Sequence, residues 1–205
     1  MIRKRVAILI SGRGSNMTAL IEAAKAEDYP AEIVLVLSNR PDAAGLARAR
    51  QAGVVTEVVD HTAFGSDREA FEHALDRVLQ THRVDIVCLA GFMRVLTPAF
   101  VTRWNGRMLN IHPSLLPQFK GLNTHRRALE AGVKHHGATV HLVTPELDSG
   151  PILAQDWVPV LNGDTEDTLA ERVLQVEHRI YPEALRRVAE GRAPIASPDS
   201  KQAAH

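Results

Sequence analysis

The amino-acid sequence predicts an α/β fold, in which helices cover both faces of a doubly wound, mostly parallel sheet in three layers. Short runs rich in Val, Ile and Leu alternate with helical patterns through the first half of the chain. A glycine-containing turn follows the first of these runs, as at the ligand site of many such sheets. Two later runs alternate apolar and polar residues, which is typical of antiparallel strands in the C-terminal half.

Four strands and three helices are expected in the first half of the chain. Near-continuous branched apolar side chains suit strands that are buried on both faces. The helical segments carry apolar residues three or four positions apart, and Gly53 stands where a C-terminal cap is expected. In chain order the predicted elements are strand 6–10, helix 15–27, strand 33–37, helix 42–52, strand 54–59, helix 66–81 and strand 84–90.

The second half is expected to add three shorter strands and a long final helix. Pro182 should kink or divide that helix, because proline lacks the amide that helical hydrogen bonding requires. Residues 1–192 are expected to form a single domain and residues 193–205 a flexible tail. The predicted elements are helix 98–104, strand 108–111, helix 124–131, strand 138–143, strand 152–160 and helix 165–190.

Composition narrows the possible partners and the compartment. Lys plus Arg and Asp plus Glu both number 24, so the formal net charge is zero and a nucleic-acid polyanion is not favoured as the main partner. No segment approaches the roughly 20 apolar residues that a membrane span needs, and the first apolar run is too short for a signal peptide. Cys88 lies in an apolar run and is expected in the core. We therefore expect a cytoplasmic enzyme.

The triplet Asn110-Ile111-His112 is the strongest chemical signal in the chain. Side chains alternate across a strand, so Asn110 and His112 should point to the same face. Asn supplies an amide donor, and His exchanges a proton near neutral pH. Asp148, in a turn between two later strands, would favour the protonated imidazole if it lay beside His112. Together the three groups would suit the tetrahedral chemistry of acyl or formyl transfer.

The turn from Ser11 to Asn16 indicates a phosphate site. Its glycines allow a ligand close to the backbone, and the free amides at a helix start favour an anion. The pattern is neither GxGxxG nor a Walker motif, so a terminal phosphate of a small substrate fits better than a dinucleotide or ATP. The same residues also fit a tight turn with Ser15 as N-cap, and the pattern leaves both interpretations open.

Two other chemistries are less well supported. The chain has 10 histidines, but no HExxH or Cys/His cluster indicates a metal, and the adjacent pair His135-His136 is expected in a solvated turn. A serine hydrolase would need a GxSxG elbow, which the sequence lacks. Ser114 is expected to hydrogen-bond within its loop instead of acting as a nucleophile.

The chain resembles the folate-dependent formyltransferases in the stretches that contain the glycine turn, Asn110, His112 and Asp148. Four stretches carry the resemblance in the family's order: ISGRGSN at 10–16, LAGFMRVL at 89–96, LNIHPSLLP at 109–117 and LDSGP at 147–151. The resemblance covers about residues 5–190 and implies a Rossmann-like formyltransferase fold. The SGxGSN turn points to the branch that acts on phosphoribosyl-glycinamide. Formyl transfer from 10-formyltetrahydrofolate to the amine of 5-phosphoribosyl-glycinamide, a step of purine biosynthesis, is therefore implied.

The resemblance also implies roles for individual residues. Asn110, His112 and Asp148 match the catalytic set. The substrate would be bound by Gly14, Ser15, Asn16 and Glu177. The folate co-substrate would contact Arg68, Met93, Arg94, Val95, Leu96, Asn110, Thr144 and Asp148. No metal is implied, the expected partners are the two small molecules without nucleic acid or membrane, and a monomer or a homodimer both remain open.

The departures from the family pattern are modest. Asn123 stands where a histidine is common, Lys120 where a proline is common, and Pro145 enters the expected folate loop.

Related activities are less favoured by the sequence. A methionyl-tRNA formyltransferase would be expected to carry a further C-terminal domain, and a formyltetrahydrofolate hydrolase a further N-terminal one. A non-catalytic nucleotide-binding module would not need a proton carrier such as His112.

Overall fold

Strands alternate with helical segments from Lys4 to Leu142 in the computed structural model, which describes residues 2–192. The predicted tail at 193–205 lies outside the described residues. The strands are β1 (Lys4–Ile10), β2 (Ala31–Ser38), β3 (Thr56–Val58), β4 (Ile86–Leu89), β5 (Met108–His112), β6 (His135–Leu142) and β7 (Ile152–Pro159). The helices are α1 (Ser15–Ala23), α2 (Ala44–Gln51), a 3-10 helix (His61–Phe64), α3 (Arg68–Thr81), α4 (Pro98–Arg103), α5 (Thr124–Glu130) and α6 (Glu166–Ala189).

All seven strands of the described residues form one sheet in the order β3-β2-β1-β4-β5-β6-β7. The first five strands in that order are parallel, whereas β6 is antiparallel to both β5 and β7. The chain winds outward from β1 in one direction and from β4 in the other. The carboxyl ends of β1 and β4 therefore form the topological switch point, where sheets of this kind bind ligands.

Apolar side chains form a core on each face of the sheet. Residues 6, 8 and 10 of β1 pack on the side of α1 and α6, and residues 7 and 9 pack on the side of α3 and α4. This alternation along a single buried strand places helices on both faces. The predicted three-layer, mostly parallel fold with C-terminal antiparallel strands is confirmed.

Several local predictions need correction. Helix α6 continues through Pro182, so the predicted division is wrong. Its apolar side, including Val173, Ile180 and Tyr181, is buried against the sheet, and this packing outweighs the local cost of proline. Helix α1 ends at Ala23, four residues earlier than expected. Strand β3, a mostly exposed strand at one edge of the sheet, has only three residues and is shorter than predicted.

The predicted solvated turn at His135-His136 is also wrong. Both residues lie in β6, and His136 is only 1% exposed. Its Nε2 lies 3.2 Å from Nδ1 of His125. Burial, with a smaller contribution from nearby histidines, lowers the pKa of His136 to about 4, so its ring is neutral at physiological pH.

Candidate active site

The turn after β1 and the loop after β4 meet at the switch point. The amide of Ser11 donates to the carbonyl of Gly91 at 3.1 Å, and the amide of Met93 donates to Ser11 Oγ at 2.8 Å. Between them lies a cleft of about 380 Å³, which extends to Asn39, Arg40 and His61. Residues 11–16 and 93–94 line this cleft, so the expected phosphate turn and part of the expected folate segment share one space.

The start of α1 carries no capping side chain. Its N-cap is Gly14, which has φ 70°, and not Ser15. Glycine adopts this left-handed conformation without strain, and its lack of a side chain leaves the first helical amides uncapped. The geometry is therefore suited to an anion, although the phosphate itself stays a prediction.

A buried amide–carboxyl pair joins this turn to α6. Asn16 Nδ2 donates to Glu177 Oε2 at 2.6 Å, while Asn16 Oδ1 is buried without a hydrogen-bond partner. Glu177 is 8% exposed and therefore does not lie on a solvated face of α6. Burial raises the pKa of Glu177, and the hydrogen bond from Asn16 opposes that rise. Glu177, which the resemblance implies as a substrate-binding residue, thus lies directly against the glycine turn.

Replacing Glu177 with glutamine should stabilise the unliganded protein at neutral pH. Because the pKa of Glu177 is raised in the fold, the wild-type free energy of unfolding falls as pH rises above the ordinary glutamate value. The glutamine amide has no such dependence and can also donate to Asn16 Oδ1. We expect a gain of about 1 kcal/mol at pH 7 in denaturant titrations.

The gain should shrink toward pH 4, where the wild-type carboxyl also becomes protonated. The control is Glu171→Gln, which removes an exposed carboxylate from the same helix. It should change stability by less than about 0.5 kcal/mol at either pH. Equal stability of Glu177→Gln and wild type at both pH values would contradict the description of this pair.

The structure brings Asn110, His112 and Asp148 together at the end of β5. Nδ1 of His112 lies 3.5 Å from Oδ2 of Asp148, and both side chains are buried. Nε2 of His112 lies 2.9 Å from the carbonyl of Phe119. A carbonyl only accepts, so Nε2 carries a proton and Nδ1 is the nitrogen that faces the carboxylate.

Asp148 reaches this cluster through an unusual loop backbone. It has φ 48°, a conformation that Asp and Asn tolerate better than most residues. Its Oδ2 accepts the amide of Gly121 at 2.8 Å, which ties the loop after β5 to the loop between β6 and β7. A Cβ at Gly150 would lie 1.7 Å from the carbonyl of Leu142, so only glycine permits this approach.

His141 is a fourth member of the cluster, and the sequence analysis did not assign it to the site. It lies opposite Asn110 in the antiparallel register of β5 and β6. Its Nε2 is 3.3 Å from Asn110 Nδ2 and 3.8 Å from Asp148 Oδ1. Only the pairing register could have revealed it, and register is not readable from two separate strand patterns.

The residues expected to bind folate border the same edge of the sheet. Arg68 is exposed at the start of α3, and its guanidinium donates to the carbonyl of Val95. Met93 and Val95 are each 71% exposed, which excludes a core role for Met93. Arg94 lines the cleft, whereas Leu96 packs partly into the core on the α3 side. These positions allow folate contacts, which stay predictions.

The expected folate loop contains one departure from the family pattern, Pro145, and is contacted by a second, Lys120. Thr144 Oγ1 donates to the carbonyl of Glu146 at 3.2 Å. Lys120 Nζ donates to Ser149 Oγ and lies 3.7 Å from Glu146 Oε1. Lys120 therefore links the loop after β5 to the loop that carries Asp148. Asn123 is the N-cap of α5 with φ 56°, a conformation that asparagine accommodates.

Ser114 lies in the interior of its loop and is already hydrogen-bonded. Ser114 is fully buried, and its Oγ donates to the carbonyl of Gln118 at 2.6 Å, as expected for a loop serine. Within residues 2–192, no group of three or more His, Cys, Asp or Glu side chains could hold a metal ion. Across the same residues, no helix has the length and apolarity to span a membrane.

Comparison with known proteins decides the family. Residues 4–185 match the family model described as formyl transferase. The chain belongs to the formyl transferase family. The resemblance predicted from the four sequence stretches is thereby confirmed.

This formyl transferase is similar to proteins of known name. It is 50% identical over 187 residues to phosphoribosylglycinamide formyltransferase of Escherichia coli (strain K12), covering 91% of this chain and 88% of that protein. It is 54% identical over 187 residues to the trifunctional purine biosynthetic protein adenosine-3 of Gallus gallus, of which it spans only 18%.

Solved structures give the same family. The phosphoribosylglycinamide formyltransferase of Brucella melitensis is 56% identical, with a TM-score of 0.88 over 95% of this chain and 100% of the other. Glycinamide ribonucleotide transformylase 1 of Symbiobacterium toebii is 49% identical, with a TM-score of 0.90 over 95% of this chain and 92% of the other.

Proposed function

We propose that this formyl transferase moves the formyl group of 10-formyltetrahydrofolate to the amine of 5-phosphoribosyl-glycinamide. The product would be formylglycinamide ribonucleotide, in de novo purine biosynthesis. The observation that carries the proposal is the approach of His112 to Asp148 beside Asn110, at the same sheet edge as the glycine turn. The names of the Escherichia coli and Brucella melitensis relatives support the choice of acceptor.

The proposed reaction joins the amine nitrogen to the formyl carbon and breaks the bond from that carbon to N10 of the folate. A proton must leave the attacking nitrogen and reach the departing one. Asn110 would donate an N–H to the oxygen on which negative charge develops. His112 would exchange the proton while its Nε2 stays hydrogen-bonded to the Phe119 carbonyl and its Nδ1 faces Asp148. The His112–Asp148 pair would thereby carry the proton from the attacking nitrogen to the departing one.

The other residues would hold the two substrates in line. Gly14 and Ser15 would bind the phosphate through their amides, with Asn16 and Glu177 next to the ribose. Met93 and Val95 present exposed apolar surface for a flat pterin. Arg68 would pair with the glutamate carboxylate of the folate. Positioning of this kind can supply on the order of 7 kcal/mol or more of the barrier reduction.

An acceptor comparison tests this assignment. The protein is assayed with 10-formyltetrahydrofolate and either the ribonucleotide or its dephosphorylated nucleoside. Loss of the charge-assisted contacts to phosphate should reduce kcat/KM by about tenfold or more. Formylation of neither acceptor would contradict the proposed function, and equal kcat/KM for both would remove the phosphate site.

The remaining assignments follow from the same proposal. A cytoplasmic location suits an enzyme of nucleotide synthesis, and the formal net charge of zero gives no reason to invoke nucleic acid. The partners would be the two small-molecule substrates. Folate would act as co-substrate, and no step assigns a role to a metal.

A further inference from the structure

His141, a buried histidine of β6, has two ring nitrogens with different neighbours. His141 is 2% exposed. Its Nδ1 lies 3.0 Å from the carbonyl of Leu142, and its Nε2 lies 3.3 Å from Asn110 Nδ2. The titratable groups facing it are His112 and Asp148, whose Oδ1 is 3.8 Å from Nε2.

These neighbours determine the tautomer of His141. The Leu142 carbonyl can only accept, so Nδ1 must carry a hydrogen. Burial, the largest influence, lowers the pKa of His141, and the ring is therefore neutral at physiological pH. In a neutral ring with hydrogen on Nδ1, Nε2 presents only a lone pair. Because Nε2 has no hydrogen, His141 cannot donate a hydrogen bond to Asp148. The carboxylate of Asp148 therefore interacts with His112 instead.

A lone pair at Nε2 distinguishes the two ends of the Asn110 amide. An amide group can rotate by half a turn with almost no change in shape, which exchanges its donor and acceptor ends. Nε2 accepts from the NH₂ end and would repel the oxygen. One hydrogen of Asn110 Nδ2 is thus directed to His141, and the second hydrogen stays available on the same nitrogen.

We propose that His141 is a positioning residue that holds the Asn110 amide with its N–H, and not its oxygen, toward the reacting formyl oxygen. This inference rests on the proposed function, because it concerns an oxyanion formed in formyl transfer. An amide in the opposite orientation would place an oxygen against the developing negative charge. His141 would therefore act on the transition state through Asn110, without touching either substrate.

A double-mutant cycle between His141 and Asn110 tests the inference. His141→Phe keeps an aromatic ring but removes the lone pair, and it should lower kcat by about tenfold or more. KM for both substrates should change by less than about twofold, because substrate contacts are kept. In an Asn110→Ala background, where no amide is left to orient, His141→Phe should change kcat by less than about twofold.

Two further variants separate this role from a structural one. His141→Gln can place its Oε1 near the former Nε2, so it should restore kcat to within about threefold of wild type. His136→Phe removes another buried histidine of β6, and its effect should be equal in both backgrounds. Thermal unfolding of every variant verifies that it is folded.

The outcomes distinguish this inference from the proposed function. Absence of formyl transfer by the wild type would contradict the function itself. If the wild type is active, equal losses from His141→Phe with and without Asn110 would overturn the inference alone. A folded His141→Gln variant that loses as much activity as Asn110→Ala would overturn it as well, even if His141→Phe failed to fold.

Discussion

Replacing His112 is expected to lower kcat for formyl transfer by roughly 10²–10⁴-fold, the usual contribution of a positioned acid–base group. Two substitutions isolate the chemistry. His112→Ala removes the ring, whereas His112→Gln can still donate to the Phe119 carbonyl but cannot take up a proton. Because proton exchange is the property that both variants lose, both should show the same large loss in a steady-state assay.

His73→Ala is the matched control for His112. His73 is exposed on α3 and lies outside the cluster. Its replacement should leave kcat within about twofold of wild type, as expected for a distant surface position. Near-normal turnover of folded His112→Gln would show that the hydrogen bond to the loop, and not proton exchange, is the role of this residue.

Replacing Asp148 with asparagine is expected to reduce kcat by roughly a hundredfold or more. Asparagine tolerates the left-handed backbone at this position, and its Oδ1 can still accept the amide of Gly121. The substitution therefore removes the negative charge that faces His112 Nδ1 while it keeps the loop. The loss should appear in kcat, with thermal unfolding close to that of wild type.

Asp156→Asn is the control for Asp148→Asn, because it removes a carboxylate charge outside the cluster. Asp156 lies on β7, where it pairs with Arg179. Surface pairs of this kind contribute little, so the substitution should leave kcat unchanged within about twofold. Asp148→Asn with full activity would remove the carboxylate from the proposed mechanism, and a strongly lowered unfolding temperature would show that the residue matters mainly for the loop.

Sequence patterns predicted the features that follow from short-range periodicity. The shared face of Asn110 and His112 follows from the alternation of side chains along a strand. The placement of the glycine turn at a ligand-binding edge of the sheet follows from its position directly after the first strand. The apolar runs were sufficient to predict the fold class, because a strand that is buried on both faces has few polar residues.

Features that depend on tertiary contacts could not be predicted from sequence patterns. The approach of Asp148 to His112 required the family resemblance, since it depends on the path of a loop. The buried positions of His136 and His141 depend on how β6 pairs with its neighbours. Helix α6 continues through Pro182 because burial of its apolar side outweighs a local preference.

The most direct test is a single-turnover reaction with 10-formyltetrahydrofolate labelled on the formyl carbon and enzyme in excess. The labelled donor is mixed with the ribonucleotide, with methionyl-initiator tRNA, or with no acceptor other than water. The proposed function predicts that the label passes to formylglycinamide ribonucleotide, with little formate and no labelled tRNA. Label that accumulates as formate despite the ribonucleotide, or label that appears only on tRNA, would contradict it.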